Sequence, residues 1–122
     1  SIIKKKKQES IMEKDLESTI NAGGLIPIRK GHSIRVPKNN IGYWQFPLLY
    51  LENGTIAECF KGKTVLDYGC GTGILLAMAA AYGAEKLLGI EIEANYVEIT
   101  KQTLTDNGVP EHRMHIVQND VF

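Results

Sequence analysis

The stretch VLDYGCGTG, from Val65 to Gly73, decides the fold of this chain. It begins as a short buried strand, after which Gly69, Gly71 and Gly73 stand at every second position. The segment that follows, GILLAMAAAYGA, is rich in residues of high helix propensity and ends near Gly83. A strand that enters a helix through a glycine-rich turn places bare backbone N–H groups beside the positive end of that helix. The stretch therefore predicts a ligand site at the turn.

The order strand, helix, strand, helix, strand is predicted from residue 63 onward. EKLLGIEI indicates a second strand, and EANYVEITKQTLTDNG a second helix that closes at Asn107 and Gly108. RMHIVQNDVF contains a third strand. Because such alternation is typical of parallel sheets with right-handed crossovers, the predicted fold class is α/β, with a Rossmann-like parallel sheet.

Charge divides the chain into two parts. Residues 1–40 hold nine Lys or Arg against four Asp or Glu, whereas residues 41–122 hold five against ten. We expect a basic N-terminal segment over 1–40, with a helix on the stripe Met12, Leu16 and Ile20 and a possible hairpin within LIPIRKGHSIRV. The segment is either a solvated leader or an arm that contacts an acidic partner such as RNA.

Three acids follow the three predicted strands. Asp67 and Glu91 lie where the first and second strands end, and Asp120 follows the third. The carboxyl ends of parallel strands meet at one crevice, so these acids are predicted to converge there. Any one of these acids taken alone would be interpreted as an ordinary loop residue. Three acids at the ends of three consecutive strands favour a ligand site over a tight turn that binds no ligand.

The ligand is predicted from its charge. In the dinucleotide fingerprint G-x-G-x-x-G, the third glycine would fall on Ile74, and Asp67 would repel a pyrophosphate. A cationic group would be attracted there, while Glu91 stands where an acid accepts both ribose hydroxyls. The predicted ligand is S-adenosylmethionine. A nicotinamide-dependent oxidoreductase is the weaker alternative.

VLDYGCGTG, LLGIEI and VQNDVF together resemble the class I S-adenosylmethionine-dependent methyltransferases, over residues 63–122. The resemblance implies that the glycine turn and Asp67 line the methionine part, that Glu91 binds the ribose and that Ile92 packs on the adenine. It also implies that Asp120 and the Val121 backbone read the edge of the adenine. The complete set of expected cofactor-binding residues is Asp67, Gly69, Cys70, Gly71, Gly73, Glu91, Ile92, Asp120 and Val121.

The resemblance covers part of a fold that has seven strands in the family. We expect residues 41–122 to form its N-terminal, cofactor-binding half, with the first three strands only. Residues that would act on a methyl acceptor are not identified, so the catalytic residues stay unassigned. The expected function is methyl transfer to a protein or RNA acceptor, and the alternative is a non-catalytic cofactor-binding or regulatory subunit. Because the edge of the first strand would be open, we expect a truncated domain, a dimer or a partner chain that covers it.

Several function classes are disfavoured by composition. Two cysteines, Cys59 and Cys70, suit a reducing compartment, which predicts a cytoplasmic protein. No apolar run approaches the roughly 18 residues of a membrane span, so no membrane is expected. His32, His112 and His115 lack metal-ligand spacing with either cysteine, so no metal is expected.

Overall fold

The predicted alternation of strands and helices is confirmed. A computed structural model describes residues 18, 22–28, 31–39 and 55–119, with the backbone alone for 55–57. The elements in chain order are β1 (Gly24–Pro27), β2 (Ser33–Val36), α1 (Thr55–Phe60), β3 (Thr64–Tyr68), α2 (Ile74–Ala81), β4 (Lys86–Glu91), α3 (Ala94–Asp106), a 3-10 turn (Glu111–Arg113) and β5 (Met114–Gln118). The chain is thus an α/β protein, as the sequence predicts.

A three-stranded parallel sheet forms the body, in the order β3-β4-β5. Asp67 of β3 pairs with Gly89 of β4, and Glu91 of β4 pairs with Gln118 of β5. Since all three strands run in one direction, their carboxyl ends lie at the same edge of the sheet. Within the described residues, β3 is an outer strand of this sheet.

Helices α2 and α3 pack on the same face of the sheet, where they build the larger core. The central residues of that core are Leu76, Ala77, Leu87, Val97, Leu104 and Ile116. On the opposite face, Leu66 and Tyr68 of β3 are 54% and 51% exposed. The strand end that carries Asp67 is therefore supported from the helix side.

Gly89 lets the glycine turn and α2 approach β4 closely. A Cβ atom on Gly89 would lie 2.9 Å from Cys70 Sγ, 3.0 Å from Ile116 Cδ1 and 3.2 Å from Leu76 Cδ1. Real Cβ atoms essentially never come as close as 2.9 Å to another heavy atom, and the other two distances are tighter than most real contacts. The glycine within LLGIEI is thus required by packing at the centre of the sheet.

The possible hairpin in the N-terminal segment is confirmed, with β1 and β2 paired antiparallel. Its inner residues Ile26 and Ile34 pack with Ile74 and Met78 of α2 in a second core. Asn107, at the end of α3, accepts a hydrogen bond from Arg35 N–H at 2.7 Å and donates one to Arg35 C=O at 2.8 Å. The helix expected on Met12, Leu16 and Ile20 lies outside the described residues.

No helix in the described part of the chain has the length and apolar content to cross a bilayer.

Candidate functional site

The glycine turn between β3 and α2 has the backbone that only glycine adopts readily. Gly69, Gly71 and Gly73 have φ angles of +78°, +57° and +88°. The N–H groups of Gly69 and Cys70 donate to the carbonyl of Ile90 at 2.7 and 3.2 Å. The turn therefore wraps over the end of β4.

Glu91 joins this turn to the end of β4. Its side chain is only 7% exposed. Its Oε1 accepts a hydrogen bond from Gly71 N–H at 3.2 Å, and its Oε2 accepts one from Glu93 N–H at 2.8 Å. A carboxylate has about four acceptor positions, so two remain beyond these backbone contacts. Glu91 is thus fixed in place and still able to accept hydroxyl groups.

Asp67 lies near Glu91 at the same sheet edge. Burial raises the pKa of Asp67, and the negative charge of Glu91 raises it further. Two carboxylates held in each other's field make the edge strongly negative. A positively charged ligand would lower the energy of both, whereas a phosphate would raise it.

Ile92 follows directly on Glu91 and is 56% exposed. Gln118 Nε2 donates to its carbonyl at 3.0 Å, which ties the end of β5 to this loop. An exposed branched side chain beside a buried acid offers a flat apolar surface to a base. Asp120 and Val121, expected at the edge of the base, lie outside the described residues.

Cys70 packs beneath the turn. It is buried, and its thiol lies 3.5 Å from the hydroxyl of Thr100 on α3. Burial is the largest cause that raises the pKa of Cys70, and the charges of Asp67 and Glu91 act in the same direction. The sulfur is therefore held as a neutral thiol, which suits packing and not nucleophilic chemistry.

The structure thus brings together six residues of the expected set around the turn and β4: Asp67, Gly69, Cys70, Gly71, Gly73 and Glu91. Sequence reasoning assigned no role in the site to Thr100 or Gly89. Thr100 lies in the segment predicted as the second helix. In the sequence, Thr100 stands out only as a hydroxyl residue on the buried side of a predicted helix. Gly89 stands out only as a glycine inside a predicted strand.

A cavity of about 180 Å³ lies elsewhere, between the hairpin turn and the C-terminal ends of α2 and α3. Its lining includes His32, Ala77, Asn107 and Arg113, and none of the expected cofactor residues. Among the described residues, no cluster of three or more His, Cys, Asp or Glu could hold a metal ion.

Comparison with known proteins identifies a family for this sequence. A family model described as ribosomal protein L11 methyltransferase (PrmA) matches residues 48–122. The ribosomal protein L11 methyltransferase of Aliivibrio salmonicida is 48% identical over 50 residues, which are 41% of this chain and 17% of that protein. Its counterpart in Enterobacter sp. strain 638 is 38% identical over 60 residues, which are 49% and 20%. This chain spans about a fifth of the length of the curated relatives it matches.

Solved structures with a similar fold include two arginine methyltransferase structures. Arabidopsis thaliana protein arginine methyltransferase 10 matches with a TM-score of 0.46 and 31% identity, over 51% of this chain and 17% of that one. The Trypanosoma brucei PRMT1 enzyme–prozyme complex with AdoHcy matches with a TM-score of 0.45 and 42% identity, over 51% and 19%. Both TM-scores are below 0.5, so the family assignment rests on the sequence matches.

Proposed function

This chain belongs to the ribosomal protein L11 methyltransferase (PrmA) family, and on that premise we propose that it supplies the cofactor-binding half of a protein that transfers a methyl group. The cofactor of the family is S-adenosylmethionine. The observation that carries the proposal is Glu91, a buried acid held by the N–H groups of Gly71 and Glu93 at the end of the middle strand.

The site residues fit the chemical groups of this cofactor. The free acceptor positions of Glu91 suit the two ribose hydroxyls, and the exposed Ile92 suits one face of adenine. The negative field of Asp67 suits the ammonium and sulfonium groups. Asp120 and the Val121 backbone are proposed to read the edge of the base, and this assignment stays a prediction from the sequence.

When bound, S-adenosylmethionine supplies a methyl group made electrophilic by its positive sulfur. The residues of this chain would bind and orient it, because in-line transfer depends chiefly on alignment with the attacking lone pair. Glu91 would fix the nucleoside end, and the turn from Gly69 to Gly73 would fix the amino acid end. No residue is assigned to the acceptor, so the catalytic residues stay unknown.

The acceptor is proposed to be a macromolecule, protein or RNA. The names of the relatives, which refer to ribosomal protein L11, support a protein acceptor. The basic segment over residues 1–40 remains a candidate docking arm, and its separation from 41–122 as a unit stays a prediction. A cytoplasmic location is also proposed, because Cys59 and Cys70 form no disulfide in the described residues, as is usual for proteins of a reducing compartment.

A second copy or a partner chain is proposed to cover the open edge of the sheet. The support is that β3 is an outer strand within the described residues and that its Leu66 and Tyr68 are exposed. Sedimentation or light scattering of the purified chain tests this: a species of twice the chain mass supports a dimer, and a monomer that stays soluble at high concentration contradicts it.

The experiment that tests the cofactor assignment is titration calorimetry with S-adenosylmethionine, S-adenosylhomocysteine and NAD. We expect the two sulfur nucleosides to bind and NAD not to bind. Binding of NAD alone would overturn the proposal in favour of an oxidoreductase. If the cofactor binds but the complete protein transfers no methyl group to ribosomal protein or RNA, the chain is a non-catalytic cofactor-binding or regulatory unit.

A further inference from the structure

Thr100, in the middle of α3, lies directly behind the glycine turn. Its side chain is fully buried, and its hydroxyl donates a hydrogen bond to the carbonyl of Gly71 at 2.7 Å. The hydroxyl has one proton, which is used in this bond, so the thiol of Cys70 at 3.5 Å is the donor in their contact. One side chain thus contacts two consecutive residues of the turn.

The residue Gly71 is held from both ends. Its N–H donates to Glu91 at 3.2 Å, and its carbonyl accepts from Thr100 at 2.7 Å. A glycine at a φ of +57° has many other conformations available, so it depends on such contacts to keep one of them. Thr100 and Glu91 together select the conformation that the turn presents at the carboxyl edge of the sheet.

Gly73 brings α3 close enough for this contact. A Cβ atom on Gly73 would lie 3.1 Å from Thr100 Cγ2 and 3.2 Å from Thr100 Cα. The turn is therefore packed against the backbone of α3 at Thr100 as well as bonded to its side chain.

We propose that Thr100 is a positioning residue for the amino acid end of the cofactor, acting through the carbonyl of Gly71 and the thiol of Cys70. This inference rests on the proposed function. Thr100 itself does not touch the cofactor. It fixes the turn that does, and so it controls affinity for the methionine part more than affinity for the nucleoside, which Glu91 and Ile92 hold.

The test uses two ligands that differ in the methionine part. S-adenosylhomocysteine has the complete amino acid chain, whereas 5′-methylthioadenosine keeps the base, the ribose and the sulfur and lacks the amino acid. Calorimetry on the full chain compares wild type with Thr100→Val and Thr100→Ser. Thr103→Val is the matched control, because Thr103 is a buried threonine of the same helix whose hydroxyl has no partner within the described residues.

We expect Thr100→Val to raise the Kd for S-adenosylhomocysteine about tenfold, equivalent to about 1.4 kcal/mol, and the Kd for 5′-methylthioadenosine less than about twofold. Thr100→Ser restores the hydroxyl and should recover most of the affinity. Thr103→Val should change neither Kd. In hydrogen exchange of the free protein, the amides of residues 71–73 should exchange faster in Thr100→Val than in Thr103→Val.

The outcomes separate this inference from the proposed function. If wild type binds neither ligand, both are overturned. If wild type binds both, and Thr100→Val leaves both Kd values unchanged or raises both equally, the positioning role is wrong and the cofactor assignment stands. Should the valine variant not fold, Thr100→Ser against Thr100→Ala carries the same comparison, since both lack the methyl group and differ in the hydroxyl.

Discussion

At the scale of single residues, Glu91 has one structural role and one proposed role in binding. Its carboxylate accepts the N–H groups of Gly71 and Glu93, so it holds the glycine turn to the start of α3. The same carboxylate is proposed to accept the hydroxyl groups of the ribose. Any substitution of Glu91 therefore changes both the order of the turn and the proposed affinity for the cofactor.

Glu91→Ala should weaken binding of S-adenosylmethionine by about 1–3 kcal/mol, because it removes charged hydrogen bonds to the ribose and loosens the turn. It should also lower the melting temperature, since two backbone N–H groups lose their acceptor. The control is Glu93→Ala, which removes an exposed carboxylate that makes no capping hydrogen bond to the helix it precedes. Calorimetry and thermal unfolding measure both effects, and equal affinity in Glu91→Ala and wild type would remove Glu91 from the site.

We expect Asp67 to lower the stability of the ligand-free protein and to strengthen binding of the cofactor. Its folded-state pKa is raised by burial and by Glu91, so ionisation of Asp67 disfavours the folded state. The stability it contributes is fully present below its unfolded pKa, about 3.9, and is lost as the pH rises through the raised folded pKa.

Asp67→Asn should therefore unfold at a higher temperature than wild type at neutral pH, and the difference should disappear near pH 4 and below. The same variant should bind S-adenosylmethionine about 1–3 kcal/mol more weakly at neutral pH, because it no longer attracts the cation. Thermal melts across pH 4 to 8 test the expected change in stability, and calorimetry at pH 7 tests the expected change in affinity. A variant that is less stable than wild type at neutral pH and binds equally well would contradict this account of Asp67.

At the scale of elements, β4 is the strand on which the site depends. It lies between β3 and β5, its end carries Glu91, and its Gly89 leaves space for the turn. A side chain at Gly89 would displace Cys70, and with it the backbone that bonds to Glu91. Packing at the centre of the sheet and geometry at its edge are thus coupled through one glycine.

Gly89→Ala should destabilise the fold by about 1–3 kcal/mol, as expected for overpacking of a filled core. Cys70→Ala removes the sulfur atom that would lie nearest to the new Cβ atom. The double variant should therefore lose less stability than the sum of the losses in the two single variants. Denaturant unfolding of the four proteins gives this coupling. If the stability losses of the two single variants add up to that of the double variant, the contact between Cys70 and position 89 does not cause the destabilisation.

The elements were predictable because their signals are local. The strands and helices of residues 64–118 follow from apolar runs, helix propensity and the stops at Gly83 and Asn107. What the sequence could not predict depends on contacts between distant residues. Thr100 and Gly71 are 29 residues apart, and Asn107 and Arg35 are 72 apart. Nothing in the sequence near either residue of a pair indicates its partner, so neither contact could be predicted.

At the scale of the whole molecule, two cores share α2. One core joins this helix to the sheet and α3, and the other joins it to the hairpin. Asn107 adds hydrogen bonds that extend the edge of the hairpin onto the end of α3. The hairpin therefore supports the helix that begins at the glycine turn. The candidate site lies at the carboxyl edge of the sheet, and none of the expected cofactor residues lines the cavity near His32 and Arg113.

The central claim is that the carboxyl edge of the sheet binds a positively charged nucleoside without phosphate. The most direct measurement is the amide NMR spectrum of the labelled chain during titration with S-adenosylmethionine. The account predicts that the largest shifts fall on Gly69, Gly71 and Gly73 and on the residues from Glu91 to Glu93, with small shifts in the hairpin. Shifts concentrated around His32 and Arg113, with the glycine turn unchanged, would contradict it.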